Sequence, residues 1–129
     1  MDEKQELLVE LRQLDQQIKH IQNHVENVDN QIAEFSGIKK ALEDFANLKK
    51  GAEIKVPIAN GIFIDAELKN VKDLLVNVGA NVSVKKTVPQ VKEMMEEQEH
   101  DLAAFRSNLV LQLQEMIARA EEIQEQYNS

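Results

Sequence analysis

The chain contains no cysteine, so no disulfide staples it and no thiol serves as a nucleophile or zinc ligand. That fits a reducing cytosol, and a cytoplasmic protein is expected. Tryptophan is absent and there is one tyrosine, so a compact globule would lack its usual large core fillers. No apolar run approaches the ~20 residues that span a bilayer. The opening Asp2-Glu3-Lys4-Gln5-Glu6 is acidic and lacks the basic-then-apolar order of a signal peptide. Positive charge is short as well. A formal charge of -8 argues against a nucleic-acid backbone or an anionic membrane as partner, since both need basic surface.

Catalytic and cofactor signatures are missing too. His20 and His24 stand four apart on a predicted helix, a spacing that can bind zinc, but no third ligand stands at a matching step. His100 is alone. Gly37-Ile38-Lys39-Lys40 lacks the first glycine and the Ser/Thr of a phosphate loop. Asp65 and Glu67 share one face of a predicted strand, where paired acids are more often solvated than catalytic. No nucleophile has a base beside it. The expectation is a non-enzyme with no metal and no cofactor.

The stretch from Gly51 to Val88 organises the chain, because it alone alternates with a period of two. Ile54, Val56 and Ile58 fall on one face of an extended segment. Asn60-Gly61 follows and predicts a type I′ turn, whose two central residues need positive φ. Ile62, Ile64, Ala66 and Leu68 then alternate with Phe63, Asp65, Glu67 and Lys69. The pattern returns with Leu74, Val76 and Val78, a Gly79-Ala80-Asn81 turn, and Val82 and Val84. Two successive β-hairpins are predicted. A lone hairpin is marginal in water, so these need partners.

The flanking segments read as coiled-coil helices. In residues 1–50, Leu7, Leu11, Leu14, Ile18, Ile21, Val25, Val28, Ile32 and Phe35 alternate four and three apart, a heptad seam. The apolar residues then come at Ile38, Leu42 and Phe45, with Lys39 at the expected seam position. That predicts a stammer, an overwound stretch containing Gly37. Gly51 is the expected C-terminal cap of a helix roughly 70 Å long. Thr87 and Gln90 have capping-box spacing around Pro89, which starts a second helix over 89–129; Val88, biased toward extended geometry by Pro89, is the alternative cap. Its seam runs Val91, Met95, Gln98, Leu102, Phe105, Leu109, Leu113, Met116, Ala120, Ile123 and Tyr127, slipping once at Phe105. Glu121, Glu122 and Glu125 oppose the helix dipole, and the C-terminal end is expected to fray.

The order helix, two hairpins, helix is unusual. With Val56-Pro57-Ile58, Asn60-Gly61-Ile62-Phe63-Ile64 and the run from Leu75 to Thr87, the whole chain resembles an α-class subunit of prefoldin (GimC), and its simple organisation looks archaeal. The resemblance implies one domain over 1–129, mainly α with a small β part: a long antiparallel coiled-coil hairpin with two β-hairpins inserted. It implies a hexamer of two α-class and four β-class subunits whose hairpins join a β-barrel. The assembly residues would be Ile54, Val56, Ile58, Ile62, Phe63, Ile64, Leu74, Val76, Val78, Val82 and Val84. It further implies an ATP-independent co-chaperone that holds non-native proteins at its coil tips and passes them to a group II chaperonin. A structural coiled-coil spacer, or a regulatory subunit binding one folded partner, are the other readings.

The tip residues follow from counting. If both helices leave the β part level with each other, near Lys50 and Pro89, Tyr127 meets about Leu11. The first turns would then lack a partner. Leu7, Leu8 and Leu11 would project apolar surface, joined by Met116, Ile117, Ile123 and Tyr127; the alternative is that Leu7 and Leu11 simply continue the seam.

Overall fold

The computed structural model describes residues 2–129. The elements run α1 (Glu3–Ala46), β1 (Glu53–Ala59), β2 (Ile62–Glu67), β3 (Asp73–Gly79), β4 (Val82–Thr87) and α2 (Val88–Asn128). Two compact units result: the chain up to Glu34 together with Glu99–Ser129, and Phe35–Gln98.

Both helix starts are capped by side chains. The Gln5 amide donates to Asp2 Oδ1 at 2.8 Å. At α2 the box is reciprocal: the Thr87 amide donates to Gln90 Oε1 at 2.9 Å, and the Gln90 amide to Thr87 Oγ1 at 3.3 Å. Thr87, also the last residue of β4, is therefore the cap.

The end of α1 differs from expectation. The helix stops at Ala46, where the amides of Asn47 and Leu48 reach back three residues to Asp44 and Phe45. Gly51, at φ 90°, is not its cap. It occupies the third position of a turn closed by the Ala52 amide on the Lys49 carbonyl at 3.0 Å, where type II geometry wants glycine. Its own amide donates to the Leu68 carbonyl at 2.8 Å and so extends the first hairpin.

In the unit holding the helix ends, α1 and α2 pack antiparallel. Ile21, Val28 and Leu109 form the buried centre, with Val25, Ile32, Leu102, Leu113 and Met116 against them. The expected defects are not built. On α1, Lys39 is half-buried while Ile38 is 41% exposed, so burial keeps the heptad through 32, 35, 39 and 42. On α2, Arg106 is half-buried and Phe105 is 48% exposed, so burial runs 99, 102, 106, 109, 113. In each helix a long, half-buried charged side chain takes the seam position, which its aliphatic stem allows. Hydrophobicity alone had placed Ile38 and Phe105 there.

In the other unit, β1 pairs with β2 and β3 with β4, each pair antiparallel and each a separate two-stranded sheet. The register shifts at the same place in both, leaving Ile58 and Val78 as bulged residues next to the turns. The turns differ. In the first only Gly61 has positive φ, at 76°, so the expected type I′ turn is absent. In the second, Ala80 (φ 50°) and Asn81 (φ 61°) are both left-handed, the signature of type I′. Between the hairpins, Asn70 Oδ1 accepts the amides of Lys72 and Asp73 at 2.8 and 3.2 Å.

Candidate functional site

Cross-strand partners share a sheet face, so the register sorts the hairpin side chains. In the first hairpin Ile54 opposes Ala66 and Val56 opposes Ile64 on one face. The other carries Pro57 against Phe63, Glu53 against Glu67, and Lys55 against Asp65, whose charges meet at 2.8 Å. Asp65 is thus a solvated ion-pair partner. In the second hairpin Val76 opposes Val84 and Leu74 opposes Lys86. Leu75 lies on the reverse face against Lys85.

Most of these apolar side chains are uncovered. Val56, Ile58, Ile62, Phe63, Ile64, Val78, Val82 and Val84 are exposed, Ile58 at 64%; Ile54, Leu74 and Val76 are half-buried. Leu75 is the most exposed at 71%, and alternation had missed it because it sits out of phase with its neighbours.

At the helix ends the geometry departs from the count. Lys4 lies over the Tyr127 ring, 5.5 Å from its centroid, so the partner of Tyr127 comes about two turns before Leu11. The first turns of α1 therefore have a partner. Leu7, Leu8 and Leu11 are half-buried, and Ile123 is fully buried. Nor does the acidic end of α2 unwind, since helix persists to Asn128. Arg119 Nε donates to Glu10 Oε1 at 3.1 Å and its Nη1 to Glu122 Oε2 at 3.2 Å. These bonds, Glu122 first and then Glu10, raise the Arg119 pKa above its ordinary value. Asp29 does the same for Arg106 through a short hydrogen bond from Nε.

The expected tip residues fall into separate places. Leu11 and Ile117 meet with Ile18 in one concavity of about 430 Å³. Met116 lines another of about 870 Å³ with His20, His24, Phe105 and Gln112. Val9, 41% exposed beside Leu8, escaped the sequence reading because it lies off the seam. The rings of His20 and His24 are 4.7 Å apart. Among the described residues no group of three side chains is placed to hold a metal ion. No described helix is long and apolar enough to cross a membrane.

A model of the prefoldin subunit family matches residues 14–129. The chain belongs to the prefoldin subunit family.

Its curated relatives include archaeal prefoldin alpha subunits. That of Thermofilum pendens is 26% identical over 121 residues, covering 94% of each chain. That of Methanobrevibacter smithii is 32% identical over 111 residues, covering 86% of this chain and 75% of the other. A cryo-EM structure of filamentous PFD from Methanocaldococcus jannaschii superposes with a TM-score of 0.82, covering 91% of this chain and 97% of that one. At 20% identity that likeness is one of fold. Two long helices with two small hairpins between them are thus a prefoldin architecture, and the chaperone role of prefoldin is the frame for both apolar surfaces.

Proposed function

We propose that this chain is an alpha-type subunit of a cytoplasmic, ATP-independent co-chaperone. Its hairpins join those of β-class subunits in a barrel, two chains of this type with four of the other. Its helix ends hold non-native polypeptides and yield them to a group II chaperonin. The observation that carries the reading is the hairpin surface: nine exposed apolar side chains on two sheets of two strands each. Burying each is worth roughly 1 kcal/mol or more, a gross gain on the order of 10 kcal/mol. That is enough to offset much of the ordering cost of association. Paired edges would also remove unsatisfied strand backbone.

The client surface is less apolar, which suits transient contact. Leu7, Leu8, Leu11, Met116, Ile117 and Tyr127 remain partly accessible and are the proposed contacts, with Val9 added. Ile123 is reassigned from contact to the packing between the helices. Native mass spectrometry of the chain, alone and with a β-class subunit, tests the assembly. Suppression of aggregation of unrelated denatured proteins by the complex tests the client role. A complex that assembles but protects nothing would leave a spacer; one that prefers a single folded ligand would be a regulatory subunit.

A further inference from the structure

The formal charge is not spread evenly along the chain. The unit holding the helix ends carries 14 acidic and five basic side chains, whereas Phe35–Gln98 carries nine acidic and ten basic. The whole excess of negative charge therefore sits on the unit assigned to clients. Three of its five cations are already engaged: Arg119 on Glu10 and Glu122, Arg106 on Asp29, and Lys4 on Tyr127.

Within that unit, the smaller concavity beside the seam pairs apolar lining with free acids. Leu11, Ile18 and Ile117 supply the apolar part. Asp15, Glu121 and Glu125 stand with them, all exposed, and among the described residues none of the three is in an ion pair. Among the described residues no basic side chain lines it; Arg12 and Lys19, three before and four after Asp15, are not in its lining. The larger concavity has the opposite character, with glutamines and two histidines and no carboxylate.

A groove between two helices, with Leu11 and Ile18 seven apart on one wall and Ile117 on the other, accepts the apolar stripe of a third helix. Carboxylates along its edge favour Lys or Arg flanking that stripe and repel Asp or Glu. We infer that the groove of Leu11, Ile18 and Ile117 rimmed by Asp15, Glu121 and Glu125 docks cationic amphipathic segments of non-native polypeptides. The inference rests on the client role proposed above and names the class of client segment. Acidic segments are rejected there, and neutral ones are held by the apolar lining alone.

The test uses the assembled complex with a β-class subunit. Three labelled peptides share one length and one apolar pattern, with Lys, Gln or Glu at every polar position. Binding is read by fluorescence anisotropy, and location by a photo-crosslinking residue placed at Gln124, which lines the groove. The Lys peptide should bind about tenfold tighter than the Gln peptide, from three surface ion pairs each worth roughly a factor of two. It should crosslink at 124, and its advantage should shrink as salt rises. The variant Asp15→Asn/Glu121→Gln/Glu125→Gln should bring the two within about twofold and leave the Gln peptide unchanged. A control, Glu26→Gln/Glu34→Gln/Asp101→Asn, removes equal charge outside the groove and should keep the discrimination. Equal binding of Lys and Gln peptides, or equal loss in both triple variants, overturns the inference while the client role stands. If no peptide binds and denatured proteins are not protected either, both fall.

Discussion

Ala80 is a non-glycine residue held in the left-handed region in the turn of the second hairpin, and Gly61 is a glycine held there in the turn of the first. That contrast gives a paired prediction of opposite signs. At φ 50° the Ala80 side chain crowds its own carbonyl, a strain of about 1–2 kcal/mol that glycine does not feel. Glycine in turn frees the unfolded chain, which costs about 0.4–1 kcal/mol. Ala80→Gly should therefore stabilise the second hairpin by about 0.5–1 kcal/mol. At Gly61, φ 76°, an added Cβ meets nothing within 4 Å. The penalty of Gly61→Ala is then pure backbone strain, and the same two terms with signs reversed predict a loss of about 0.5–1 kcal/mol. The measurement is urea unfolding of the assembled complex at one fixed protein concentration, because subunit association contributes to the midpoint. Hydrogen exchange of the strand amides locates the change. A destabilising Ala80→Gly, or two variants that move the midpoint the same way, would refute the assignment of a type I′ turn to Ala80-Asn81 and of a glycine-dependent turn to Gly61.

Ile64→Asp or Val76→Asp should place an unpaired charge in a covered apolar face at a cost of several kcal/mol, so native mass spectra should show free subunits while circular dichroism stays helical. Thr87→Ala removes one half of the reciprocal cap and should destabilise α2 by about 1 kcal/mol in thermal melts, with fraying of its first turn in hydrogen exchange. Gly37→Ala should stabilise α1 by up to about 1 kcal/mol, since a Cβ there meets nothing within 4 Å and the helix is unbroken. Leu7→Ser with Leu8→Ser and Leu11→Ser should leave the oligomer intact but weaken its suppression of aggregation; equal protection would move client binding elsewhere.

The hairpins and the cap at Thr87 were legible because each rests on a local rule. Period-two alternation and the three-residue spacing of Thr87 and Gln90 need no knowledge of the partner chain. What escaped depends on geometry beyond a few residues. Asn60-Gly61 reads as type I′, yet only Gly61 takes a positive φ. Ile38 and Phe105 look like seam residues to any count of apolar side chains. Lys39 and Arg106 hold the positions instead, because long stems can be buried while their charges stay wet. The register at the helix ends was misjudged by about two turns, since Tyr127 meets Lys4 and not Leu11. Alternation named the exposed apolar side chains of the hairpins apart from Leu75; the residues expected at the tips share no one place, because that depends on the register between the helices.

Charge separates two surfaces that composition makes alike. Both units leave aliphatic side chains in water, and apolar area alone would let either one self-associate. On the hairpin unit acids and bases nearly cancel, so copies can approach and bury Ile64, Val76 and their neighbours without a long-range penalty. On the unit of the helix ends the excess of carboxylates makes copies repel, while the polar seam residue Arg106, tied to Asp29, fixes how the two helices pair. Leucines there stay available because the acids around them oppose permanent burial against a like surface. A surface of that kind favours brief contact with chains of opposite charge. Raising salt should therefore act oppositely on the two surfaces: screening weakens the repulsion between helix ends and their grip on basic segments, yet leaves the apolar hairpin contacts in place.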